Sequence, residues 1–162
     1  MNAGDRARPN AEQVRMGELR TGSAGDSFRT LLGSCIGLAI WDPQAKVGGL
    51  AHVMLPSSSG HDGPPGKFAD TAIHELIRQL ESLSGHRERL VAKIVGGARM
   101  FDSPTESTIG DQNIDAVCRG LDDEGIPVLG SDCGGTSGRR MVFSVATGHV
   151  VVEAVGSEAK QI

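Results

Sequence analysis

Two short apolar runs on either side of the segment 42–46 (DPQAK) constrain the fold of this chain most strongly. The segment is typical of a turn, with a proline early in it, so the two runs predict a β-hairpin that closes about Pro43-Gln44. With that closure Cys35 lies directly opposite His52 on one face, and their Cβ atoms are roughly 4.5–5.5 Å apart. A one-residue bulge would instead move the two side chains off register, or onto opposite faces.

A paired cysteine and histidine predict nucleophilic chemistry. The imidazole of His52 can take the thiol proton of Cys35, and the resulting thiolate can attack a carbonyl carbon in an acyl transfer. Backbone N–H groups of Ser34 and Cys35 are the expected donors to the oxyanion, and Thr30 is a candidate to orient the imidazole. The alternative is structural, because a lone cysteine in an apolar strand is usually a small buried side chain.

The other two cysteines are weaker candidates for the nucleophile. Cys118 is expected in the core on the apolar face of a helix, and Cys133 in a loop after a strand, without a neighbouring histidine. A zinc site built from Cys35, His52, Asp132 and Cys133 is the main chemical alternative, and the absence of a short-spaced ligand pair argues against it.

Composition excludes several classes of function. The 162 residues suit one domain; the net charge is −4, aromatic residues make up 3%, and no long basic run is present. These values argue against binding to nucleic acid. No apolar stretch approaches the ~18 residues that span a bilayer, and the polar N-terminus lacks an apolar signal core. We therefore expect a cytoplasmic protein without membrane insertion, with a disordered arm over residues 1–12 and a single domain over 13–162.

Periodicity and turn signals predict an α/β fold. Apolar residues recur at helical spacing over 67–83 and 109–124, and short strands surround these helices. The 23 glycines indicate many tight turns. The order of strands, helix, strand, helix and strands predicts one domain with a mixed, largely antiparallel sheet.

Several motifs resemble one known family over residues 14–155, the CheD chemoreceptor glutamine deamidases of bacterial chemotaxis. The motifs are Thr30-Leu31-Leu32-Gly33-Ser34-Cys35, Trp41-Asp42-Pro43, Gly48-Gly49-Leu50-Ala51-His52-Val53-Met54-Leu55-Pro56, Gly66-Lys67-Phe68-Ala69-Asp70, Lys93-Ile94-Val95-Gly96-Gly97-Ala98 with Met100-Phe101, Ile109-Gly110 with Asn113, and Gly134-Gly135.

The resemblance implies a fold related to the cysteine-hydrolase toxins that deamidate glutamine. It implies Cys35 as nucleophile, His52 as general base and acid, and Thr30 as the third polar member, without a cofactor or a metal. The implied substrate is a glutamine on the cytoplasmic helices of a chemoreceptor, and the implied regulatory partner is a CheC-type phosphatase. We also expect Phe101 to lie beside Cys35 as an apolar anchor for a partner. The alternative is that Phe101 belongs to the hydrophobic core. A second hypothesis is a non-catalytic module that regulates the phosphatase.

Overall fold

The computed structural model describes residues 10–100 and 108–162, which form two five-stranded sheets and two helices. Sheet A has the strand order β1 (Glu12–Gln13), β3 (Ser27–Leu32), β8 (Arg139–Ser144), β9 (Val150–Ala154) and β10 (Lys160–Gln161). Sheet B has the order β2 (Leu19–Ser23), β5 (Val47–Val53), β4 (Ile36–Asp42), β6 (Val91–Gly96) and β7 (Val128–Cys133). The helices are α1 (Ala69–Ser82) and α2 (Ile109–Asp123).

The predicted fold class is confirmed, with one correction. Among the described strands β1–β3 and β6–β7 pair in parallel, and the other neighbouring pairs are antiparallel. The prediction of one sheet is wrong, because β3 pairs with β8 whereas β4 pairs with β5 and β6. The chain therefore passes from sheet A to sheet B through residues 33–35, which include Cys35.

Sheet B lies in the middle of three layers. One of its faces packs against α1 and α2 through side chains such as Ile36, Leu38 and Leu76. The opposite face packs against sheet A through Trp41 and Phe143, among others. Every residue of β4 and β5 is buried as a result, and this explains why the sequence shows continuous apolar runs there instead of alternation.

Both helices lie close to their predicted bounds. The apolar stripe of α1 faces sheet B, and α2 begins at a capping box in which Thr108 and Asp111 each accept from the other's backbone. One expectation for α2 is wrong: Cys118 is exposed, because the buried positions of this helix are Gly110, Asn113, Val117 and Leu121.

The register of the β4–β5 hairpin differs from the prediction. Asp42 pairs with Val47, so the loop has four residues, 43–46, and does not close about Pro43-Gln44. The carboxylate of Asp42 accepts from the N–H groups of Gln44 and Ala45, at 2.9 and 3.1 Å. These bonds stabilise the longer loop.

The longer loop moves the pairing of the catalytic candidates by two residues. His52 lies opposite Gly37, not opposite Cys35. Because the shift is an even number of residues, Cys35 and His52 stay on the same face of sheet B. Both side chains therefore face the layer between the two sheets.

The N-terminal end of the described chain is packed against sheet A. The predicted arm, 1–12, lies mostly outside the described residues, but Ala11 is buried and Glu12 begins β1. Over 14–21 the sequence predicts one strand, whereas the structure has β2 only from Leu19. No helix among the described residues is both long and apolar enough to cross a membrane.

Asp42 gives the first testable prediction. It is buried, forms an ion pair with Arg89 at 3.0 Å and accepts from the N–H of His86. Burial alone would raise the pKa of Asp42, but the hydrogen bonds from Arg89, His86 and the loop hold it well below its usual value. We expect Asp42→Ala to lower the free energy of unfolding by about 2–4 kcal/mol, because it leaves these donors without their acceptor.

Urea denaturation measures this loss, and Asp26→Ala is the matched control. Asp26 also accepts a turn N–H, that of Ser23 at 2.8 Å, but it is exposed, so we expect a loss of about 1 kcal/mol or less. Equal losses in the two variants would show that burial of Asp42 does not anchor the hairpin.

Candidate active site

A chain of hydrogen bonds fixes the imidazole of His52. The hydroxyl of Thr30 lies 2.6 Å from the carbonyl oxygen of Val14 and 2.7 Å from Nδ1 of His52. A carbonyl oxygen only accepts, so the single hydroxyl proton of Thr30 is donated to Val14. The hydroxyl can then only accept from His52, and Nδ1 must carry the proton.

This assignment makes Nε2 of His52 the basic atom of the ring. Nε2 is buried and has no hydrogen-bond partner among the described residues. Burial lowers the pKa of His52 below its ordinary value of 6.5, and the carbonyl of Val14 partly opposes this shift. The imidazole is therefore neutral near pH 7, with its lone pair available to accept a proton.

The backbone on both sides of the hydrogen-bonded pair is held in place. The N–H of Val14 donates to the carbonyl of Arg29 in β3, next to Thr30. The N–H of His52 donates to Glu18, and its carbonyl accepts from Gly17.

Gly37, opposite His52, lets sheet A approach closely. A Cβ at Gly37 would lie 2.4 Å from Sδ of Met141 and 3.6 Å from Cγ2 of Thr30. A larger residue would therefore force the side chains of Met141 and Leu32 in sheet A to move.

Cys35 lies in the crossing segment 33–35, whose three carbonyl groups are all hydrogen-bonded. The carbonyl of Gly33 accepts from the N–H of Ala98 at 3.0 Å, and that of Cys35 from the N–H of Gly97 at 2.9 Å. The carbonyl of Ser34 accepts from Nδ2 of Asn113 at 3.1 Å.

Gly96 makes room for this segment. Its φ of +111° favours glycine, and a Cβ there would lie only 2.2 Å from the carbonyl oxygen of Cys35. Any other residue at this position would displace the cysteine.

Fixed carbonyls determine where the N–H groups point. Each peptide unit is planar and trans, so its N–H points away from its own carbonyl. The N–H of Ser34 therefore points away from Ala98, which follows β6, and the N–H of Cys35 points away from Asn113 in α2. Neither N–H makes a hydrogen bond to another described residue.

Cys35 and His52 are diagonal neighbours on the inner face of sheet B. One step beyond the last pair, Ile36 with Val53, brings Cys35 level with Met54, two residues from His52. Such neighbours lie roughly 7–8 Å apart at Cα. In the described residues no hydrogen bond joins the thiol to Nε2.

The thiol of Cys35 is protonated at rest. It is half-buried, and burial raises its pKa above the ordinary value. Since burial also keeps His52 neutral, the resting pair is a thiol and an imidazole, not a preformed ion pair. An attack by this thiol would therefore require its proton to move from sulfur to a base such as Nε2.

The other thiols are less suitable. Burial, together with the thiol of Cys118, raises the pKa of Cys133 to about 11, and the Cys133 thiol donates to the carbonyl of Ile94 at 3.6 Å. Cys118 is on the outer face of α2, away from His52. Across residues 10–100 and 108–162, no three His, Cys, Asp or Glu side chains form a group that could hold a metal ion.

Comparison with known proteins identifies the family of this chain. A model of the CheD family, described as chemotactic sensory transduction, matches residues 54–154. This chain belongs to the CheD family. The matched range begins two residues after His52 and therefore does not include Thr30, Cys35 or His52.

Curated CheD proteins extend the similarity to nearly the whole chain. A "Probable chemoreceptor glutamine deamidase CheD" of Methanococcus vannielii is 46% identical over 152 residues, which are 93% of this chain and 98% of that relative. The "Chemoreceptor glutamine deamidase CheD" of Thermotoga maritima is 46% identical over 125 residues, covering 77% of this chain and 79% of its own. A relative in Desulforamulus reducens is 40% identical over 163 residues, covering 96% and 98%.

Two further residues, Phe101 and Asn113, belong to the motifs quoted from the sequence. Phe101, the expected anchor, lies outside the described residues. Asn113 contacts the segment next to Cys35, and sequence reasoning gave it no role. The sequence did contain an indication of this contact, because position 113 is polar although it lies on the core-facing stripe of α2.

The hydrogen-bond chain gives the second testable prediction. Thr30→Val keeps the shape of the side chain but removes the oxygen that accepts from Nδ1 of His52. We expect the rate to fall at least about tenfold, a part of the 10²–10⁴-fold that general acid–base catalysis contributes. Thr30→Ser keeps the hydroxyl and should keep most of the activity. Equal rates for the two variants would contradict the orienting role of Thr30.

Proposed function

We propose that this CheD protein hydrolyses glutamine side-chain amides of chemoreceptors to glutamate and ammonia, with Cys35 as nucleophile. The observation that carries the proposal is the hydrogen-bond chain from Val14 through Thr30 to Nδ1 of His52, which leaves Nε2 unpaired among the described residues on the same face as the thiol. The names of the curated relatives give the substrate class, because they are called chemoreceptor glutamine deamidases.

The first half of the reaction forms a thioester. Nε2 of His52 takes the thiol proton while the sulfur of Cys35 bonds to the amide carbon, and the carbonyl oxygen becomes an oxyanion. The N–H groups of Ser34 and Cys35 donate to that oxyanion. When the intermediate collapses, the C–N bond breaks and Nε2 returns its proton to the departing nitrogen, which leaves as ammonia.

The second half hydrolyses the thioester. Neutral His52 takes a proton from water as the water oxygen bonds to the thioester carbon. The C–S bond then breaks, the sulfur regains its proton from Nε2, and the product is a glutamate side chain. Throughout both halves Thr30 accepts from Nδ1 and keeps Nε2 facing the reacting atoms.

A groove beside the crossing segment, lined by apolar and by charged residues, supports a helix as the substrate. The groove has a volume of about 390 Å³ and is lined by Gly33, two residues before Cys35. Around it Leu31, Met100 and Val155 expose 62%, 49% and 83% of their surface. A receptor helix lying here would cover these side chains while it presents a glutamine to the thiol.

The remaining partners follow from the same proposal. The protein acts in the cytoplasm on the cytoplasmic helices of a chemoreceptor, and a CheC-type phosphatase is its regulatory partner. Phe101 follows Met100 in the chain, which keeps it a candidate for partner binding. Kinship with the cysteine-hydrolase toxins stays a prediction.

The alternative function is a non-catalytic module that regulates a CheC-type phosphatase. The unpaired Nε2 of His52 argues against it. A buried nitrogen without a partner is unfavourable for stability, and a purely structural residue gains nothing from it.

The nucleophile gives the third prediction. When the protein is incubated with a receptor cytoplasmic fragment, mass spectrometry should detect the mass increment of deamidation at specific glutamines. We expect Cys35→Ala to reduce the rate at least about 10³-fold, because it removes the attacking atom. Cys118→Ala and Cys133→Ala are matched controls and should keep most of the activity. Deamidation by Cys35→Ala at the unaltered rate would contradict the covalent mechanism.

The groove gives the fourth prediction. Leu31→Glu should raise KM about tenfold and leave kcat nearly unchanged, because it places a charge where the receptor helix docks. Leu129→Glu is the matched control: Leu129 is 58% exposed and lies on β7, the edge strand of the other sheet. If both variants give the same KM, the helix docks elsewhere.

A further inference from the structure

Asn113 joins the two segments that carry the catalytic candidates. Its side chain is fully buried, and Nδ2 donates to the carbonyl of Ser34 at 3.1 Å and to that of Met54 at 2.9 Å. Ser34 precedes Cys35, and Met54 lies two residues beyond His52. One amide group from α2 therefore bridges the start of β4 and the end of β5.

The orientation of this amide is fixed by chemistry. Two carbonyl oxygens face one end of the side chain, so the NH₂ group must lie there, since an oxygen would find no donor. Both protons of Nδ2 are used. The other end, Oδ1, is buried and has no hydrogen-bond partner among the described residues.

The two hydrogen bonds from Asn113 take the place of the next backbone pair between β4 and β5. Regular pairing ends at Ile36 and Val53, one residue before the level of Cys35. Beyond that point two carbonyls face a side chain that donates to both, so the strands stay together without a direct bond. A buried polar side chain with an unpaired oxygen is unfavourable for stability, which points to a role beyond packing.

We propose that Asn113 is a positioning residue for the oxyanion site. The carbonyl that it holds belongs to the Ser34–Cys35 peptide, and the N–H of that peptide is the Cys35 donor to the oxyanion. A donor on the carbonyl fixes the plane of the peptide and polarises it, which strengthens the N–H at its other end. The inference rests on the proposed deamidation and adds a residue that never touches the substrate.

The test compares Asn113→Ala with Val117→Ala in the full chain, using a chemoreceptor cytoplasmic fragment as substrate. Val117 is as buried as Asn113 and lies one turn further along the same face of α2. Its apolar side chain cannot donate a hydrogen bond to the carbonyl groups of Ser34 and Met54. We expect kcat to fall about 10–100-fold in Asn113→Ala with KM nearly unchanged, a part of the 10²–10³-fold that loss of an oxyanion donor costs. Val117→Ala should keep the kcat of the unaltered chain.

Alkylation of Cys35 by iodoacetamide separates positioning from general damage. This reaction forms no oxyanion, so Asn113→Ala should be alkylated at a rate close to that of the unaltered chain. Asn113→Ser, which keeps one donor, should lose less kcat than Asn113→Ala and serves as the second variant if Asn113→Ala does not fold.

Three results would overturn the role of Asn113: a kcat loss no larger than that of Val117→Ala, a change in KM alone, or alkylation that falls together with kcat. Failure of the proposed function is distinct, because the unaltered chain itself would then leave the fragment unchanged.

Discussion

The single hydroxyl proton of Thr30 determines the chemistry of this site. The proton is used by the carbonyl of Val14, so the Thr30 oxygen can only accept from Nδ1 of His52. Nε2 is thereby left with its lone pair, in a buried position that keeps the ring neutral. A base of this kind can accept a proton from a neutral thiol during attack, without a stored thiolate.

The architecture serves this arrangement by bringing two sheets together. Thr30 belongs to sheet A and His52 to sheet B, and the glycine opposite His52, Gly37, lets the sheets meet. Cys35 lies where the chain crosses between the sheets, in a segment whose carbonyls accept from the residues directly after β6 and from Asn113 in α2. The proposed nucleophile thus lies directly before β4 and the proposed base lies in β5, the other strand of the same hairpin.

The sequence predicted the fold class, both helices and the family, because these depend on periodicity and on local motifs. It did not predict the hairpin register, since the loop is set by the carboxylate of Asp42, whose bonds to Gln44 and Ala45 favour four residues over two. Nor did it predict the second sheet, because short strands do not reveal their partners when the pairing is distant in sequence.

For the site, the sequence placed Cys35 and His52 on one face correctly, but two residues too close in the pairing of β4 with β5. Thr30 was a candidate by its proximity to Cys35 in the chain and by the family resemblance, and only the structure shows the acceptor of its hydroxyl proton. Asn113 was part of a motif, yet its contact with Ser34 spans 79 positions of the chain, a separation that no local pattern encodes.

The tautomer of His52 tests the account most directly. Nitrogen-15 NMR of the imidazole side chains near neutral pH distinguishes a protonated from an unprotonated ring nitrogen, and a His52→Gln variant identifies the signals of His52 among the five histidines. The account predicts a neutral ring with the proton on Nδ1 and none on Nε2. A proton on Nε2 would leave no lone pair facing the thiol and would contradict the role of His52 as the base.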